Sequence, residues 1–163
     1  MPRVVLFQPQ IPPNTGNVAR TCVATGSQLH LIEPLGFSLD QPQLKRAGLD
    51  YWPALELSLH ANGQAFLHER LNRGGRLLGF SSHADSPYDA FRFASDDWLL
   101  FGRETDGLPQ EMLSSCDRLL RIPIRPWQPG QIEGVRSLNL SVAVAVVLFE
   151  ALRQLRLAGV GQS

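Results

Sequence analysis

The sequence predicts an α/β fold: one domain over residues 1–163, a mainly parallel sheet flanked by helices. Three observations carry that expectation. The runs Val4-Val5-Leu6-Phe7, Leu29 to Ile32 and Trp98-Leu99-Leu100-Phe101 are apolar throughout, as strands buried on both faces are. Between the first two lies a stretch with helical spacing, so the chain opens β–loop–α–β, a parallel crossover unit. The 163 residues are 44% hydrophobic and 18% charged, enough to bury a real core and too apolar for disorder.

The elements follow in order. Pro9, Pro12 and Pro13 impose an irregular loop after the first strand, since proline fixes its φ and lacks an N–H. Asn14 is placed to cap a helix starting near Thr15, with Val18, Cys22 and Val23 on its apolar face and Gly26 at its end. Residues 34–60 read as mixed, with a short helix over 43–47. Residues 64–71 form a helix with Phe66, Leu67 and Leu71 inward, ended by Asn72 and Gly74-Gly75. Residues 76–82 are a strand, and 85–97 a polar loop with aromatics. After the Trp98 strand, a short helix has Pro109 at its first position. Residues 119–124 are a further strand, and a long helix over 138–157 is capped by Ser137 and stopped by Gly159. No repeat or linker interrupts the chain.

Fifteen basic and fifteen acidic side chains cancel, so contact with a polyanion must come from a local patch. Lys45 is the one lysine beside fourteen arginines; arginine offers phosphate a planar, bidentate fork, although codon usage explains most of the bias. Cys22 and Cys116 are isolated and read as free thiols in a reducing compartment. His30, His60, His68 and His83 lack metal-ligand spacing, so no metal is expected. The longest apolar run, residues 142–149, is far short of the ~20 residues of a membrane span, and the N-terminus has no signal-like apolar segment. A cytoplasmic location follows by default.

Three segments are unusual for connectors. In Ile11-Pro12-Pro13-Asn14-Thr15-Gly16-Asn17-Val18-Ala19-Arg20, Gly16 at a helix entrance permits close approach of a phosphate or ribose, and Asn17 and Arg20 share a helical face; an N-cap beside an exposed arginine is the plainer alternative. Phe101-Gly102-Arg103-Glu104-Thr105-Asp106-Gly107-Leu108-Pro109 follows a strand's carboxyl end, where open α/β sheets bind ligands; a tight strand-to-helix turn is the other reading. The third runs Arg121-Ile122-Pro123-Ile124, then a polar loop, then Val135-Arg136-Ser137-Leu138-Asn139-Leu140-Ser141, where Asn139 stands between leucines. Unpaired burial of its amide costs about 1–3 kcal/mol, so it either caps the helix or finds another partner.

Together, in this order and spacing, the three segments resemble motifs 1, 2 and 3 of the SPOUT superfamily of RNA methyltransferases: N-x-G-N-x-x-R, F-G-x-E-x-x-G-L-P and S-x-N-L-S. The strings Ile32-Glu33-Pro34-Leu35-Gly36-Phe37 and Arg46-Ala47-Gly48-Leu49-Asp50-Tyr51 resemble its minimal branch, the tRNA wobble-position (cytidine/uridine-34) 2′-O-methyltransferases of the TrmL or YibK type. The resemblance runs from Val4 to about Gly159. It implies a C-terminal trefoil knot, a homodimer packed through the first and last helices, and S-adenosylmethionine (AdoMet) held by three loops at Phe80, Gly102, Ile122, Ser137 and Leu138. It further implies that Arg20 lies near the ribose, that Asn17 and Asn139 position it, and that Glu104 shapes the pocket or meets the substrate. The apolar face of Leu140, Val144, Val147, Leu148 and Leu152 suits either a dimer interface or an ordinary core helix.

The chain departs from that branch's pattern at Arg103, Asp106 and Val142, and in the longer loop over 126–134. The resemblance implies methyl transfer from AdoMet to a ribose 2′-hydroxyl of tRNA, at wobble position 34, without a metal. This is mainly positioning catalysis. Arg20 is expected to orient and polarise the hydroxyl; arginine is a poor general base, so a neighbouring phosphate is expected to ease loss of the proton. RNA contacts are expected from Arg20, Arg103, Arg121, Arg125, Arg136 and Lys45-Arg46, with Trp127 stacking on a base or packing on the partner subunit. The alternatives are 2′-O-methylation at another tRNA or ribosomal RNA site, and a non-catalytic RNA-binding protein that keeps the fold.

Overall fold

The computed structural model describes residues 1–40, 42, 51–124 and 135–160. Among the described residues seven strands form one sheet: β1 (Arg3–Phe7), β2 (Leu29–Ile32), β3 (Leu57–His60), β4 (Leu77–Phe80), β5 (Ser86–Pro87), β6 (Trp98–Phe101) and β7 (Arg118–Arg121). Their spatial order is β3-β2-β1-β6-β4-β7-β5, and every pairing is parallel. The helices that lie wholly among the described residues include α1 (Pro12–Thr25), α2 (Gly63–Arg73), α3 (Gln110–Ser115) and α4 (Leu140–Val160).

Alternation along β1 separates two cores. Val4 and Leu6 join Leu29, Leu31, Leu78, Phe80, Leu99 and Phe101 beneath α1 and α4. Val5 and Phe7 join Ile32, Leu77, Trp98 and Leu100 beneath Phe66 of α2 and Met112 of α3. Burial on both faces is why these strands read as uninterrupted apolar runs.

Several boundaries differ from expectation. α1 starts at Pro12, not near Thr15, and Ile11 is its N-cap; Asn14 therefore lies inside the first turn. Gly26 ends α1 in the left-handed region at φ 69°, as expected. α4 is capped by Asn139 rather than Ser137: the Asn139 carbonyl accepts Ala143 N–H at 2.9 Å, and its Oδ1 accepts Ser141 N–H at 2.9 Å. Gly159 does not stop α4, which continues to Val160. Pro109 is the N-cap of α3, not its first residue. Leu71 is exposed rather than inward. β3 and β5 emerge from stretches read as mixed or loop, because each is short and pairs only at a sheet edge. The helix expected over 43–47 falls outside the described residues.

The face of α4 bearing Leu140, Val144, Val147, Leu148 and Leu152 is buried within the chain, so of the two readings left open for it, the core helix holds. Cys22 and Cys116 are free thiols. Among the described residues, no helix is long and apolar enough to cross a membrane.

On the α2 side, β2 and β3 bring His30 and His60 into contact: His30 Nδ1 lies 3.0 Å from His60 Nε2, and His60 Nδ1 faces Glu69 Oε2 at 3.6 Å. Trp98 and Phe66 pack edge-on against the two rings. Burial, then His60, Arg73 and Arg3, push His30 down to about 3, so it folds neutral. The unfolded chain binds a proton there near pH 6.5 and the native chain does not. Stability is therefore intact above about pH 6.5 and falls as pH drops from there towards the native value. Denaturant unfolding should give about 2 kcal/mol less stability at about pH 5 than at about pH 7. A His30→Leu variant should show a distinctly smaller difference; an equal one would refute the assignment.

Candidate functional site

The sheet order reverses between β1 and β6, and ligand crevices of parallel sheets form outside the carboxyl ends of strands at such a point. A cavity of about 670 Å³ lies there, within the ~300–1,000 Å³ usual for small-molecule sites. Its walls come from the ends of three strands and the start of α4. Phe80 ends β4 and Ser81 follows it, Gly102 to Leu108 follow β6, Ile122 and Ile124 follow β7, and Arg136 to Asn139 lead into α4, which Leu140 opens.

The loop after β6 is closed on itself. Arg103 N–H donates to the Gly107 carbonyl at 3.1 Å, and Gly107 N–H to the Arg103 carbonyl at 3.0 Å. A side chain at Gly102 is excluded, because a Cβ there would stand 2.2 Å from the Gly107 carbonyl carbon. Gly107 turns the chain at φ 71°, where glycine alone pays no steric penalty.

Arg103 and Asp106, two of the departures from the minimal-branch pattern, compensate each other. Arg103 Nε and Nη2 donate to the two Asp106 carboxylate oxygens at 2.6 and 2.7 Å, and Nη1 donates to Gln8 Oε1 at 2.7 Å. The guanidinium also lies over the Phe7 ring. The Arg103 hydrogen bonds lower the pKa of Asp106 from the ordinary carboxylate value. The arginine's fork is thus engaged within the protein, against the expectation that it serves RNA.

Glu104 joins this loop to the first motif. Its carboxylate accepts Gln10 N–H at 2.9 Å, Ile11 N–H at 3.1 Å and Asn14 Nδ2 at 3.4 Å. Asn14 Oδ1 in turn accepts Asn139 Nδ2 at 2.9 Å. One polar chain, Glu104–Asn14–Asn139, therefore ties the three motif segments together. The helix entrance expected to hold a phosphate is occupied from within: Pro12 and Pro13 carry no N–H, Gly16 is buried inside α1, and Glu104 takes the free donors just before them.

Of the expected site residues, Phe80, Gly102, Ile122, Ser137, Leu138, Glu104 and Asn139 all line the one cavity. Asn17 and Arg20 share an exposed face of α1, as their spacing implies, but neither lines it. Of the expected RNA contacts, Arg121 donates weakly to the Asp85 carbonyl at 3.4 Å and Arg136 borders the cavity. Lys45, Arg46, Arg125, Trp127 and the loop over 126–134 lie outside the described residues. Sequence reasoning missed Asn14, taken for a cap, and the stretch Ser81-Ser82-His83 on the cavity wall. The prolines could have corrected the first: Pro12 at the first helical position sets the start of α1 and leaves Asn14 too far inside to cap.

His30, His60 and Glu69 come close enough to be considered as metal ligands, which their spacing in the chain did not show. Their order is that of a hydrogen-bonded chain. The Glu69 carboxylate faces the far nitrogen of His60 and also receives Arg73 at 3.3 Å.

Fold and site define an α/β protein with a small-molecule site at the carboxyl ends of its parallel strands, enclosed by three converging loops. The chain belongs to the SpoU rRNA Methylase family, whose model matches residues 1–149. It is 49% identical over 157 residues to a tRNA (cytidine(34)-2′-O)-methyltransferase of Polaromonas sp. (strain JS666), covering 96% of this chain and 92% of that protein. A solved structure described as giving insights into the 2-OH methylation of C/U34 on tRNA superposes with a TM-score of 0.85 at 52% identity, over 96% of this chain and 97% of the other. An AdoMet-bound rRNA methyltransferase from Sinorhizobium meliloti superposes with a TM-score of 0.81 at 28% identity, over 94% of this chain and 56% of that one.

The cavity suits an AdoMet-sized ligand in volume, in its apolar walls of Phe80, Ile122, Leu138 and Ala143, and in the backbone groups its loops present. Gly102→Ala should force the loop apart. Overpacking of that kind costs about 1–3 kcal/mol, so AdoMet affinity measured by calorimetry should fall about 10- to 100-fold while circular dichroism stays native. Unchanged affinity would mean that this loop does not wall the ligand.

Proposed function

We propose that the chain is an AdoMet-dependent tRNA ribose 2′-O-methyltransferase acting at wobble position 34. The observation that carries this reading is the convergence of Phe80, Gly102, Ile122, Ser137, Leu138, Glu104 and Asn139 on one cavity, in a chain alike over nearly its whole length to a protein named for that reaction. One domain spans residues 1–163, and a trefoil knot at its C-terminal end belongs to the same reading. So does a cytoplasmic location, where tRNA is found.

Phe80, Gly102, Ile122, Ser137 and Leu138 would hold AdoMet, which supplies an electrophilic methyl group on a sulfonium. The remaining work is positioning. Glu104 and Asn139, joined through Asn14, keep the β6 loop and the start of α4 in register around the cavity. Asn17 and Arg20 orient the ribose, and the Arg20 guanidinium, a donor that stays protonated, polarises the 2′-oxygen. No residue is assigned a metal.

Arg20 does not line the cavity of its own chain, so its role calls for a second subunit. Val142, Phe149 and Leu157 are exposed along α4; the first two, seven residues apart, fall on one face. Exposed apolar side chains of that size in line favour a protein partner, and a homodimer through α4 and α1 would cover them and bring Arg20 towards the other chain's cavity. Arg20→Ala should lower methyl transfer at least about 100-fold, as loss of an acid–base or polarising group does, with AdoMet binding retained. Mixing Arg20→Ala with Gly102→Ala should restore part of the activity, because one of the two mixed sites carries an intact arginine and an intact pocket. No recovery in mixed dimers would place Arg20 in its own chain's site. Mass-spectrometric mapping of tRNA from cells lacking the protein should show unmodified ribose at position 34.

A further inference from the structure

Among the described residues, the Arg20 side chain has one partner, and it is a ring rather than an anion. The guanidinium carbon lies 5.1 Å from the centroid of Tyr51. The contrast with other arginines is chemical. Arg76 is held by Asp97, Arg103 by Asp106 and Arg153 by Glu150, each through N–H donors given to a carboxylate. A carboxylate both neutralises the charge and occupies the donor edge. An aromatic face attracts the cation through its quadrupole and takes none of the five N–H groups, which lie in the guanidinium plane.

The backbone that carries the ring is held in place. The Tyr51 carbonyl accepts Ala54 N–H at 2.9 Å, making Tyr51 the N-cap of a 3₁₀ turn over Trp52–Ala54. The adjoining Trp52 packs against the buried core under α1. The core thus fixes the backbone that presents the ring, while Tyr51 remains partly open to solvent beside Arg20.

We infer that Tyr51 is a positioning residue for methyl transfer: its ring face holds the Arg20 guanidinium in one plane and leaves the whole donor edge free for the ribose oxygen and the RNA backbone. This rests on the role assigned to Arg20 above. The long arginine side chain would otherwise sample many rotamers at an exposed helix position, and each productive encounter would bear that ordering cost.

Single-turnover methyl transfer to tRNA by the full-length protein, with saturating AdoMet, tests the inference. Exposed cation–π contacts predict that Tyr51→Leu slows transfer about two- to five-fold, with AdoMet affinity and melting temperature unchanged. Tyr51→Phe, which keeps the ring face and loses the hydroxyl, should restore the rate. A loss shared by Tyr51→Phe overturns the inference in favour of the hydroxyl. A loss accompanied by a matching fall in AdoMet affinity or melting temperature overturns it in favour of a structural role. An inactive Arg20→Ala beside an unaffected Tyr51→Leu overturns this inference alone, whereas wild-type transfer by Arg20→Ala overturns the reading beneath it as well.

Discussion

The site depends on one interaction between distant loops: the Glu104 carboxylate bound to the backbone N–H groups of Gln10 and Ile11 just before α1. Helix N-termini carry unpaired donors and a partial positive charge. Here Pro12 and Pro13 remove two of those donors, and a carboxylate from the distant β6 loop satisfies the pair that precedes them. The interaction joins residues more than ninety positions apart in the chain. Asn14 extends it to Asn139, and Asn139 caps α4. Three loops that share no sequence neighbourhood are thereby set against each other through one acceptor and two amides. An amide can donate at one end and accept at the other, which lets Asn14 and Asn139 each serve two partners.

The sheet supplies the frame for that chain of contacts. Its strands end at the same level because the parallel register aligns Phe7 with Ile32, Leu6 with Phe101 and Phe80 with Phe101. The reversal of strand order at β1 and β6 opens space at those ends, and the polar loops fill its rim. Burial on both sides of the sheet leaves the strands little latitude to shift, since a slip of one residue would exchange the two cores.

Two of the residues that differ from the minimal-branch pattern are not independent. Arg103 and Asp106 form a two-pronged ion pair across the turn at the cavity wall, and Gln8 takes the remaining arginine donor. The ion pair and the hydrogen bonds between residues 103 and 107 hold this loop. The arginine that looked available for RNA is a structural tie, whereas the one partner of the Arg20 side chain among the described residues is a ring, which takes none of its donors.

Much of this was legible in the residues. Uninterrupted apolar runs marked β1, β2 and β6 because burial on both faces demands them. Gly26 marked the end of α1 because its positive φ suits glycine. Seven of the nine expected site residues line one cavity, whereas Asn17 and Arg20 lie outside it. The tertiary structure alone decided where donors and acceptors go. Asn14 reads as a cap from its neighbours, yet its partners are Glu104 and Asn139. His30 and His60 are thirty residues apart and meet only through strand pairing. Local composition constrains backbone conformation, which is set by each residue and its near neighbours; hydrogen bonds across loops depend on which strands lie side by side, and that order is a property of the whole fold.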